Sequence, residues 1–279
     1  MQNKLFKRFH PNSAVAVDRE FIAEFTDDST VNCVVSGWFM HQKGGYWELS
    51  RNPLDKSWPP PPCINPFFIS IHLTGSFLPT VFSEENIDYL REHSPIGARD
   101  LYTLNELQKR NIPSYFSGCL TLTLENHCKK RNNIIYLVDV DEDIINYVKS
   151  KTTSPVVVLS HGQSILRLLN TEHRLRYTEC MLNLYRKAKC VITTRLHAAM
   201  PCLAFKTPVL MISSYNGGLD ARFTGLSNLT HNCSKMELCS DKIKYDFDNP
   251  PENPKDYLAI RENLIEIMEN WVQRNSKCD

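Results

Sequence analysis

The stretch that most constrains this chain is Ala188 to Ile212, AKCVITTRLHAAMPCLAFKTPVLMI. Cys190 to Thr193 is a short apolar, β-branched run of the kind that forms a buried strand. Arg195 to Phe205 reads as a helix opened by Thr194 as N-cap, and Pro208 to Ile212 is again strand-like. Strand, tight turn, helix and strand in that order predict a βαβ unit. Its turn holds Thr193, Thr194, Arg195 and His197 where a strand's carboxyl end meets a helix's amino end. Unpaired N–H groups and the positive end of the helix dipole favour an anion there. A guanidinium and an imidazole two residues apart supply a fixed cation with a proton donor beside it. An isolated R-x-H is more often a solvated charge and a satisfied histidine, so its meaning depends on the rest of the chain.

That rest repeats the same alternation. Strands are predicted over Asn32 to Phe39, Phe67 to Leu73, Ser114 to Phe116, Ile134 to Asp139 and Pro155 to Ser160. Helices are predicted over Ser83 to His93, Tyr102 to Arg110 and Glu172 to Lys189, with a long amphipathic one over Lys255 to Val272. Pro95 to Asp100 reads as a turn, and Trp58 to Pro62 as a stiff surface spacer. Such alternation defines an α/β class, in which ligands gather at the carboxyl ends of strands. The polar stretch Tyr147 to Ser154 suggests a linker, hence an N-terminal domain over 1–152 and a C-terminal one over 153–279, with the last helix (255–272) packing back. A cleft between two such halves would be lined by Arg195, His197, Asp220, Arg222 and His161 on one wall, and by Arg99, Asp100, Ser117 and Gly118 on the other.

Composition narrows the function. With Lys+Arg at 32 against Asp+Glu at 31, the net charge of +1 gives no electrostatic case for nucleic acid or anionic membrane as bulk partner. No window approaches the roughly 18 to 20 continuous apolar residues of a membrane span. The start lacks the apolar core of a secretory signal, so a cytoplasmic protein is expected. Ten cysteines without a C-x-x-C pair read as buried thiols, neither a disulfide framework nor a zinc site. The acidic run Asp139, Asp141, Glu142, Asp143 reads as a solvated helix start, so no metal site is predicted.

Four motifs, taken in order, carry a resemblance. Pro95-Ile-Gly-Ala-Arg-Asp100 with Thr103, Tyr115 to Leu124, Ile192-Thr-Thr-Arg-Leu-His-Ala-Ala-Met-Pro-Cys202 and Asp220-x-Arg-Phe-x-Gly-Leu226 together resemble the polysaccharide pyruvyl transferase family over roughly Asn32 to Leu226. The resemblance implies two Rossmann-like domains of the glycosyltransferase-B type facing a cleft, with the N-terminal domain on the acceptor side and the C-terminal one on the donor side. It implies transfer of the enolpyruvyl carbons of phosphoenolpyruvate onto two hydroxyls of a sugar, giving a pyruvate ketal and phosphate. Phosphoenolpyruvate is then a co-substrate and no resident cofactor is needed. Arg195, Leu196 and His197 match the family's R-L-H donor-binding motif. The G-N-x-G-D-like loop that many members carry after their first strand is missing, and Gly37 to His41 stands in its place.

The chemistry suits these residue types. A donor with both a carboxylate and a phosphate needs more than one cation, so Arg99 or Arg222 is expected beside Arg195, with Lys206 and Arg174 further candidates. Protonating the enol carbon needs a general acid near neutrality, which points to His197. Asp220 or Asp100 is a candidate to accept the attacking hydroxyl's proton, and either is equally read as a structural acid holding an arginine, Asp100 above all since it adjoins Arg99. Thr194, Ser117, Gly118 and His161 complete the expected substrate contacts. Two other readings fit the residues: a glycosyltransferase using a nucleotide sugar, and a non-catalytic carbohydrate-binding protein.

Overall fold

The computed structural model describes residues 8–10, 17, 19–39, 58–128, 130–162, 170–213 and 220–275. Met40, His41, the Gly44-Gly45 turn and the loop at 214–219 lie outside the described residues. The chain divides into two compact units, the first running to Leu120 and regaining the chain from Leu264 onward, the second running from Thr121 to Asn263.

In the first unit, β1 (Val31–Phe39), β2 (Ile64–Leu73), β3 (Ile96–Ala98) and β4 (Ser114–Phe116) form a parallel sheet in chain order. Helix α1 (Glu84–Glu92) leads from β2 to β3, and α2 (Leu101–Gln108) from β3 to β4. The core joins Phe39, Phe68, Ile71 and Leu73 of the strands to Leu90 and Leu107 of the helices. One expectation is corrected here and one refined. Pro95 to Asp100 is no turn: its centre is β3, held between β2 and β4. The proline stretch keeps Pro59 and Pro62 exposed but is anchored at its start. Trp58 is 4% exposed, with its ring against Phe39, Phe68, Phe77 and Tyr89. A large indole gains much from burial and so pins the start of the stretch to the core.

The second unit contains β5 (Ile135–Val138), α3 (Glu142–Ser150), β6 (Val156–Leu159), α4 (Thr171–Lys187), β7 (Cys190–Thr193), α5 (Leu196–Ala204), β8 (Val209–Ser213), β9 (His231–Ser234) and α6 (Lys235–Cys239). The five strands are all parallel, in the order β6-β5-β7-β8-β9. Because β5 pairs with both β6 and β7, the division falls ahead of β5, near Leu120, rather than at residue 152. The polar stretch that suggested a linker is the end of α3 and the turn into β6. Cys190 and Cys233 are buried here as free thiols, and burial pushes both up to about 12, far from reactive thiolates.

The last helix, α7 (Tyr257–Asn275), is shared between the units: its residues through Asn263 group with the second and those from Leu264 with the first. Among the described residues no helix is long and apolar enough to cross a membrane.

Candidate functional site

The strand order of the second sheet creates one special place. β5 is flanked by β6 on one side and β7 on the other, so the connections leaving the central strands diverge. The crevice outside the carboxyl ends of such a strand pair is where open α/β sheets bind ligands. Asp139 follows β5, Ser160 and His161 follow β6, and Thr194 and Arg195 follow β7.

Asp139 ties these three ends together. Its φ of 51° is in the left-handed region, which Asp tolerates better than most residues. Oδ1 accepts from Ser160 Oγ at 2.6 Å, while Oδ2 accepts from the His161 backbone N–H at 3.2 Å and from Arg195 Nε at 2.8 Å. Its carbonyl accepts from Thr194 Oγ1 at 2.7 Å. Burial alone would raise this carboxyl. The hydrogen bonds from Ser160 and His161 and the Arg195 guanidinium outweigh burial and hold it below the usual carboxylate value. The reading of Asp139 as part of a solvated acidic run is thereby corrected. Helix α3 has Asp141 as its N-cap, accepting from Ile144 N–H.

The βαβ turn also differs in detail from expectation. Arg195, not Thr194, is the N-cap of α5, and no side chain caps that helix. The Thr193 and Thr194 hydroxyls instead stitch β7 to the end of β5: Thr193 Oγ1 donates to the Val138 carbonyl at 3.0 Å and accepts from Arg195 N–H at 2.9 Å. The Arg195 side chain is 50% exposed. With Nε held by Asp139, its terminal nitrogens make no hydrogen bond among the described residues. Leu196 is 6% exposed, so its side chain packs beneath the turn. His197 lies half-buried in the first turn of α5.

His161 adds a second layer. Its Nε2 is 2.5 Å from Tyr185 Oη, and Tyr185 is fully buried. Burial keeps the phenol protonated and, with Arg195 nearby, holds the imidazole below its ordinary value against the pull of Asp139. The phenol therefore donates to a neutral ring. His161, Tyr177, Thr178, Met181 and Tyr185 line a cavity of about 240 Å³ beside α4.

The remaining sequence candidates fall into two other groups. Asp220 and Arg222 pair with each other: the guanidinium approaches both carboxylate oxygens, with Nε at 2.9 and 2.8 Å. Asp220 also caps its short helix by accepting from Arg222 N–H. In the first unit, Arg99 and Asp100 are buried at the end of β3. Asp100 is 2.6 Å from His72 Nδ1 and 3.5 Å from Arg99 Nε, and it caps α2 by accepting from Thr103 N–H. The Ser117 hydroxyl donates to the Ala98 carbonyl and accepts from Ser70 N–H, which a bulge between β1 and β2 leaves without a ladder partner. Gly118 follows with φ 70°. The structure thus brings Arg195, Thr194 and His161 around Asp139, pairs Asp220 with Arg222, and keeps Arg99, Ser117 and Gly118 in the other unit. Among the described residues no three His, Cys, Asp or Glu side chains are grouped to hold a metal ion.

Fold and site together define a parallel α/β protein with a half-exposed arginine, held by a buried aspartate, at the switch point of its second sheet. The chain belongs to the polysaccharide pyruvyl transferase family, whose model matches residues 4–216, and it is a pyruvyltransferase enzyme. Membership implies a carbohydrate acceptor. The R-L-H motif and Asp139 lie within the matched stretch, whereas Asp220 and Arg222 lie beyond it. No curated protein and no solved structure matches the chain. Sequence reasoning set Asp139 at a strand's carboxyl end without counting it among the site candidates, and it did not single out Tyr185. The one available signal was that Asp139 ends a buried strand.

Proposed function

We propose that the donor is phosphoenolpyruvate and that the product is a pyruvate ketal on a sugar diol. The observation that carries this reading is Arg195 at the switch point, the N-cap of α5, with its Nε fixed and its side chain half exposed. A carboxylate or phosphate oxygen pair matches that fork. His197, two residues on, gives a proton to the methylene carbon of the enol phosphate, and positive charge builds at the neighbouring carbon. One sugar hydroxyl attacks that carbon, phosphate departs with its bridging oxygen, and the second hydroxyl closes the ketal. Of the two protons shed by the hydroxyls, one replaces the proton delivered to carbon and the other leaves with phosphate. In this reading Asp220 holds Arg222 as a second cation, and Asp100 lies against the Arg99 guanidinium. The glycosyltransferase-B architecture and a cytoplasmic setting belong to the same reading.

Thermal stabilisation by separate ligands tests it, because a ligand that binds only the folded state raises apparent stability. Phosphoenolpyruvate is expected to raise the melting temperature where nucleotides and nucleotide sugars do not. A shift with a nucleotide sugar alone would turn the assignment to glycosyl transfer.

A further inference from the structure

We propose that Asp139 is the positioning residue of the donor site: by holding Arg195 Nε it turns the guanidinium so that the two terminal amines, not its side, meet the donor's anion. Only the identity of that anion rests on the phosphoenolpyruvate reading. The geometry is specific. Asp139 is buried to 9% side-chain exposure, while the arginine it holds is half exposed. Its other oxygen is fixed by Ser160 and its backbone by Thr194, so the carboxylate cannot follow Arg195 if the guanidinium swings away. An unheld arginine on a surface would sample many rotamers, and binding would have to order them. Here three strand ends do so in advance.

A merely electrostatic role predicts the opposite sign. A carboxylate beside an anion site repels the anion, so removing its charge would tighten binding if position did not matter. Asp139→Asn keeps the size of the side chain and its tolerance of positive φ. It loses the charge-assisted bond to Nε. The KM for phosphoenolpyruvate and the dissociation constant of inorganic phosphate are expected to rise about ten- to a hundredfold, the range of one charge-assisted hydrogen bond. The kcat should change little. Values that fall or stay level overturn the proposal. A second measurement needs no folded variant at residue 139: the Nε–H signal of Arg195 in ¹⁵N NMR, assigned by its loss in Arg195→Lys. In the native protein without donor that hydrogen should exchange with water far more slowly than those of exposed arginines. Exchange at the exposed rate overturns the proposal. If Nε–H is protected and phosphate binding weakens in Asp139→Asn, yet phosphoenolpyruvate neither binds nor turns over in the native protein, the positioning role stands and the donor assignment falls.

Discussion

At the scale of single residues, Asp139 Oδ2 receives both the Arg195 guanidinium and the His161 backbone, so one oxygen joins the group proposed to meet the donor to the end of β6. Arg195→Ala should weaken donor binding by one to two decades, as loss of a contact worth about 1.5 to 3 kcal/mol requires, and Arg195→Lys should recover only part of it because the fork is lost. Isothermal titration with phosphoenolpyruvate measures both. His197→Ala should instead lower kcat and leave donor affinity nearly intact. For His161 the sign is set by its depressed value, since the folded protein binds this proton less tightly than the unfolded chain does. The contribution is complete above the ordinary value of 6.5 and is lost as pH falls below it. Urea midpoints should therefore drop between pH 7.5 and 5.5, and drop less steeply in His161→Gln. The placement of Arg195 and His197 at a strand-to-helix turn was legible because the apolar run Cys190 to Thr193 and the helix after it bracket them, whereas an R-x-H alone is more often a solvated charge and a satisfied histidine. Tyr185 was illegible: on sequence it is one more aromatic on a helix face, and only the fold brings it to His161.

At the scale of elements, the motif Pro95 to Asp100 shows what periodicity misses. Three residues are too few to display alternation, so β3 looked like a turn. Its glycine carries the reason for the strand: a Cβ on Gly97 would lie 3.0 Å from Ile69 Cα and 3.1 Å from the Phe68 carbonyl oxygen, both main-chain atoms of β2 that cannot move cheaply. Gly97→Ala is expected to destabilise the first sheet by about 1 to 3 kcal/mol, the usual cost of overpacking, read as a lower chemical-denaturation midpoint. The turn into β6 offers a different test. Asp248 accepts from the Thr152 and Ser154 hydroxyls and the Thr153 N–H, and Thr152 above all brings its carboxyl down to about 2. Its folded value lies below the unfolded one, so the stability it adds is present above pH 3.8 and fades as pH falls through about 2. A ¹³C carboxyl titration should place its midpoint near 2, and in Asp248→Asn the acid limb of the stability curve should be shallower. Apart from α3, whose polar end read as a linker, the longer strands and helices were legible to within a few residues from their apolar runs.

At the scale of the whole molecule, the polar composition around residue 150 pointed to the wrong side of β5, since hydropathy reports exposure and strand pairing decides which sheet a segment joins. What the chain does report is that its last helix serves two cores. Arg261 donates to the Leu124 carbonyl at 2.8 Å within the second unit, whereas Trp271, ten residues on, stacks on Phe67 of β2 within the first, with ring centroids 5.2 Å apart and planes 12° from parallel. An offset pair of large rings removes much apolar surface from water, and β2 gives that unit's core more buried side chains than any other strand. Trp271→Ala should therefore cost about 1 to 3 kcal/mol. That loss should fall on one unit: amide hydrogens of β1 and β2 should exchange faster while those of β5, β7 and β8 keep their protection. Equal acceleration in both sheets would mean that the two cores unfold as a single cooperative body, and that α7 couples them rather than merely belonging to each in turn.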